Sequence, residues 1–92
     1  MGCDLVVVTW LDSRQSSGGW KWLSELEERD PIECQSVGWL IQDGDDAKVL
    51  AQSMAPDGDD MQYAGDKIIP SRAVLKIERL TEVRPSAREA AE

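Results

Sequence analysis

Ninety-two residues with 41% hydrophobic content and four Trp suit one folded domain with a modest core. The formal net charge of −8, from eighteen acidic and ten basic side chains, repels phosphate backbones and disfavours nucleic acid as a partner. The chain contains no His, which excludes Ser–His and Cys–His nucleophiles, so an enzyme is not expected.

The chain opens with Asp4–Asp12 (DLVVVTWLD), a β-branched run that predicts a strand apolar on both faces, with Leu5, Val7, Thr9 and Leu11 on one side and Val6, Val8 and Trp10 on the other. Ser13–Gly19 is a polar loop. Trp20–Asp30 (WKWLSELEERD) has Trp22, Leu23 and Leu26 at helical spacing and a Glu25–Arg29 pair four apart, and it stops at Asp30-Pro31; this predicts a short helix that covers one end of a barrel, with Trp22 in the core. Ile32–Gln42 reads as a long strand interrupted at Gly38, where a glycine permits a bend or bulge. Asp43-Gly44-Asp45-Asp46 carries a hairpin signal, and Ala47–Met54 is the returning strand. Ala55–Asp66 reads as a turn-rich acidic loop, Lys67–Pro70 as a short strand, Ser71-Arg72 as a tight turn and Ala73–Leu80 as the closing strand. Residues 1–82 form the expected domain, and 83–92 a flexible or marginally helical tail.

The order strand, helix, strand, strand, strand, strand, with Pro70 marking a 3₁₀ turn in IIPSRAVLKI, resembles the SH3-like and Sm-like small barrels. The expected fold is therefore mainly β with one short helix, a five-stranded small barrel, the alternative being an open α+β sandwich in which the helix packs on a flat sheet. Trp10 and Trp39 are expected to pack, since a chain without Phe has few other large side chains for its core.

Charge is unevenly placed. Residues 43–66 hold seven Asp against one Lys, a net of −6, whereas 67–92 come to +2. Two copies of one tetrapeptide, Asp43-Gly44-Asp45-Asp46 and Asp57-Gly58-Asp59-Asp60, supply the hard oxygens that Ca²⁺ prefers, but neither fits an EF-hand loop, because the sixth positions are Lys48 and Gln62 and the twelfth are Met54 and Ile68. They read as solvated turns, with no metal and no cofactor expected. Cys3 and Cys34 read as reduced thiols, with Cys34 buried as a small hydrophobe. Neither a signal peptide nor a spanning segment is expected, and Val6 stands where a myristoylation motif wants Ser or Thr. A cytoplasmic location and no membrane partner follow as expectations.

The run Val8–Asp12, Gly19-Trp20 with Leu23 and Leu26, CQSVGWLI at Cys34–Ile41, and Gly65-Asp66 followed by Ile69-Pro70, Val74 and Ile77 together resemble a group of small hypothetical proteins encoded by bacteriophages and prophages. The resemblance covers roughly residues 5–80 and implies a phage origin, with no catalytic or binding residues to carry over. The expected function is a non-catalytic binding or accessory protein that engages a host or phage protein through an acidic, Trp-containing face: Asp43, Asp45, Asp46, Asp57, Asp59, Asp60 and Trp20, with Gly38, Trp22 and Pro70 structural. The two acidic turns are expected to lie close together on a curled sheet. The alternatives are an Sm-like nucleic-acid-binding protein using Lys67, Arg72, Lys76 and Arg79 as a basic stripe, and an enzyme subunit.

Overall fold

A computed structural model of the chain describes residues 2–15 and 18–81. Seven strands form, β1 (Leu5–Asp12), β2 (Ile32–Asp43), β3 (Ala47–Ala51), β4 (Ser53–Asp57), β5 (Asp60–Ala64), β6 (Lys67–Pro70) and β7 (Val74–Arg79), with 3₁₀ turns at Leu23–Glu25 and Ser71–Ala73. Five of them make one antiparallel sheet in the order β6-β3-β2-β1-β7, and β4 and β5 pair separately as a two-stranded hairpin.

Alternation along β1 sorts its side chains as the sequence implied. Val6, Val8 and Trp10 point to one face and form the core with Leu50 of β3 and Ile69 of β6, while Cys34, Leu40, Val74 and Ile77 pack against them. Among the described residues no helix covers this face, yet Val8 and Ile69 are wholly buried, so the sheet must cover itself. Two distances agree. In a flat five-stranded sheet the outer strands would lie about 19 Å apart, whereas the 3₁₀ turn leading from Pro70 to Val74 spans only about 8 to 10 Å. Lys67 on β6 also places its ammonium 5.0 Å from the centre of the Trp10 ring on β1, three strands away in the sheet. Curvature is aided by register shifts between Leu40 and Gln42 on β2 and between Thr9 and Trp10 at β1–β7.

Trp10 is 7% exposed, and its indole Nε1 donates to Ser36 Oγ at 3.0 Å, so the one polar atom of the largest core side chain is satisfied. Thr9 lies on the opposite face at 5% exposure, and its hydroxyl has no hydrogen-bond partner. A buried hydroxyl left without a partner costs more than the methyl that would replace it. Thr9→Val is therefore expected to be neutral or stabilising by up to about 1 kcal/mol, read from the urea midpoint. A loss of stability would show that the hydroxyl is bonded in solution.

Several expected elements are corrected. The helix at Trp20–Asp30 is absent: the chain makes one 3₁₀ turn, Leu23–Glu25, flanked by extended Trp22 and Leu26, with no side-chain cap. Lys21 near its start and Glu27, Glu28 and Asp30 near its end oppose the helix dipole, and a run this short is marginal in water without packing. Glu25 and Arg29 form no ion pair. Ala47–Met54 is not one strand but breaks at Gln52, whose N–H donates to the carbonyls of Ala64 and Gly65. The acidic loop 55–66 is mostly the β4–β5 hairpin, closed at the pair Asp57–Asp60 by Gly58 at φ +62°, the geometry a two-residue turn asks of glycine. The bulge in β2 falls at Ile41, not at Gly38. The tail expected at 83–92 lies outside the described residues.

Candidate docking site

The segment between β1 and β2 leaves the sheet at the Asp12–Ile32 pair and returns to it nineteen residues later. Its two limbs are held together where Arg14 Nε donates to the Asp30 carbonyl at 2.5 Å. Beyond this neck the chain forms an arm in which every described residue from Trp20 to Asp30 is exposed.

The apolar side chains of the arm are as bare as its charges. Trp20 is fully exposed, Trp22 is 77%, Leu23 84% and Leu26 72% exposed. The assignment of Trp22 to the core is thus corrected: without a helix it has no face to turn inward. The 3₁₀ turn, held by the N–H of Glu25 to the Trp22 carbonyl and the N–H of Leu26 to the Leu23 carbonyl, gathers these residues around a concavity of about 440 Å³ walled wholly by the arm. Glu25, Glu27, Glu28 and Asp30 against Arg29 give the far limb a net of −3. Two Trp and two Leu beside carboxylates make a surface that loses little on drying its apolar centre and keeps its charges at the rim, the layout of a protein-binding hot spot.

The sequence-selected acidic residues fall into two separate places. Asp43, Asp45 and Asp46 precede β3 and are joined to the Ser71–Ala73 turn, since Ser71 N–H donates to the Asp46 carbonyl and Ser71 Oγ to the Gly44 carbonyl. Lys48 donates to Asp43 at 2.5 Å, which neutralises one carboxylate of this group. Asp57, Asp59 and Asp60 sit at the tip of the β4–β5 hairpin, beyond the other end of β3. The expected single acidic patch is therefore replaced by two acidic turns that flank β3 at opposite ends. Pro70 pairs with Ala47 at the end of β6 and leads into the 3₁₀ turn. Among the described residues no three His, Cys, Asp or Glu side chains gather as a metal site.

The expected basic stripe is also dispersed. Lys67 lies over Trp10 on the inner face, Lys76 pairs with Thr9 on the outer face, and Arg72 lies in the turn between their strands. Lys76 pairs with Glu78 at 2.9 Å and Arg79 with Asp4 at 2.6 Å, and the Glu78 hydrogen bond and charge raise the Lys76 pKa. A phosphate backbone tracking these groups would have to displace two carboxylates.

Sequence reasoning missed the exposure of Trp22, Leu23 and Leu26. The order of charges along the arm, basic first and acidic last, was the available signal. No protein-family model matches the chain, and no curated protein or solved structure is significantly similar to it. No helix among the described residues is long and apolar enough to cross a membrane.

Proposed function

We propose that the chain is a non-catalytic protein-binding accessory protein, built on an SH3-like or Sm-like small barrel, whose docking element is the β1–β2 arm. The exposure of Trp20, Trp22, Leu23 and Leu26 together on one arm carries this reading. A monomer gains nothing by holding two Trp in water, whereas Trp set among neutral or charged neighbours is the residue type that concentrates binding energy at interfaces.

The barrel reading draws support from the self-covering sheet, with β1, β2, β3, β6 and β7 as its five strands and the β4–β5 hairpin inserted between the third and fourth. The net charge of −8 favours a foreign partner with an apolar cleft and a basic rim, and the exposed hairpin carboxylates Asp57, Asp59 and Asp60 would serve to steer it. An origin in a phage or prophage, and action in the cytoplasm of a bacterial host, rest on the residue resemblance alone. Nucleic-acid binding is the weaker reading, because two cations of the supposed stripe are paired to carboxylates.

The test compares proteins captured from bacterial lysate by dilute wild type and by a variant with Trp20→Ser, Trp22→Ser and Leu26→Ser. A partner held by wild type and lost by the variant is expected. Its association rate should fall with ionic strength and fall again in the Asp57→Asn, Asp59→Asn, Asp60→Asn variant, with folding unchanged. Equal capture by wild type and arm variant would remove the arm from the binding surface.

A further inference from the structure

The sheet has a second apolar surface that the described residues of one copy cover only in part. Alternation and strand pairing put Leu5 and Val7 of β1, Val37 and Trp39 of β2, Val49 of β3 and Ile68 of β6 on the outer face, away from the core. They are neighbours across the strands: Val7 pairs with Val37, Leu5 with Trp39, and Val49 with Ile68. Val37 and Ile68 are exposed, Leu5, Val7 and Trp39 are half-buried, and Val49 and its neighbour on this face, Ala51, are buried. Because the sheet curls around its core, this face is convex, so a second flat or convex sheet cannot stack on it. An extended arm can drape over it.

The chain's own arm is too short to reach the far rows of this face, although the Val7–Val37 row, five residues or about 17 Å up the strands, lies within the reach of Trp20. Leu26 stands four residues beyond Asp30 at the neck, a reach of about 14 Å fully extended, and Trp20 six beyond Arg14, about 21 Å. The Leu5–Trp39 row lies seven residues up the strands from the Asp12–Ile32 pair, about 23 Å away, and Val49 and Ile68 lie farther along β2. An arm from another molecule carries no such tether.

Building on the arm as a docking element, we infer that its occupant is a second copy of this chain: two copies dock reciprocally, the Trp20, Trp22, Leu23 and Leu26 of each lying on the convex outer face of the other. The contact is self-complementary and closes on itself as a two-fold dimer. Each exposed Trp offers about 150 to 250 Å²; with the two leucines and the covered faces counted, two such contacts bury on the order of 2,000 Å², enough for a stable dimer. Each copy carries a net charge of −8, so the copies repel, and screening by salt tightens their association. A basic foreign partner has the opposite salt dependence, and would compete for the same arms.

Sedimentation equilibrium of the full chain tests this. Wild type is expected to reach dimer mass at concentrations up to about 100 μM, at lower concentration in 0.5 M than in 0.05 M salt. An arm variant, Trp22→Ser with Leu26→Ser, and a face variant, Val37→Glu, should each be monomeric while keeping the wild-type circular dichroism. Mixed together they should regain a dimer weaker than wild type, because one intact arm then meets one intact face. Ile68→Glu provides a second face variant should Val37→Glu unfold. A wild type that stays monomeric throughout, a dimer that survives both classes of variant, or a mixture that remains monomeric would each overturn the dimer. None of these results alters lysate capture by dilute protein, so the fate of the docking arm itself is read separately.

Discussion

Trp10→Ala is expected to destabilise the domain by about 3 to 5 kcal/mol, the range for deleting a large buried aromatic. The ring belongs to a cluster whose other buried members among the described residues are Val6, Val8, Leu50 and Ile69, so the space it leaves has few neighbours able to close it. The substitution also strands the Ser36 hydroxyl that accepts from the indole and removes the ring beneath Lys67. At about 4 to 8 °C per kcal/mol for a domain of this size, the melting temperature should fall by at least about 12 °C. Trp10→Phe should lose less, since it keeps the ring and gives up the hydrogen bond. A drop below about 1 kcal/mol for Trp10→Ala would place the residue outside the core.

Gly38→Val carries the second large effect. Gly38 lies opposite Val6 on the inner face of β2, where a Cβ would stand 2.8 Å from the Ala51 carbonyl oxygen and 3.1 Å from the Leu50 Cβ. Backbone cannot step aside as a flexible side chain can, so β3 must move away from β2 or the pair must part. Overpacking of this kind costs about 1 to 3 kcal/mol, and a branched side chain belongs at the upper end. Gly38→Ala should cost less but not nothing. The urea midpoint with an unchanged m-value reads this directly, and an unaltered midpoint in Gly38→Val would show that the strands are farther apart than described.

Much of the fold was legible because β-strand signals are local. The alternation in Leu5–Asp12 separated the core residues Val6, Val8 and Trp10 from the outer ones, and the tetrapeptide at Asp43–Asp46 marked a turn between paired strands. Pro70 before Ser71–Ala73 marked the short connection that brings the sheet edges together. What sequence could not supply was the decision between a helix and an exposed arm at Trp20–Asp30. Helical spacing of Trp22, Leu23 and Leu26 says that one face could be apolar; it does not say that a surface exists to receive that face, and a short helix depends on that surface for its stability. The second Asp-Gly tetrapeptide reads correctly as a turn, but the strands on either side of it are missed for a related reason. Its flanks, Ser53–Pro56 and Met61–Ala64, are mostly polar or small and lack the β-branched run that announces a strand, and they pair only because Gly58 closes a tight turn between them. The outer face was visible as the second apolar side of β1, but the partner strands that extend it across the sheet were not.

The stability of the arm variant tests the central claim most directly. Denaturant unfolding of the Trp20→Ser, Trp22→Ser, Leu26→Ser chain, at a concentration low enough to keep wild type monomeric, compares the two molecules with the arm as the sole difference. If the arm is a docking element held in solvent, the two midpoints agree to within about 0.5 kcal/mol, as they do for surface substitutions. If the arm packs as a helix against the sheet, removing two Trp and a Leu from that contact costs several kcal/mol, and a loss of that size would contradict the account.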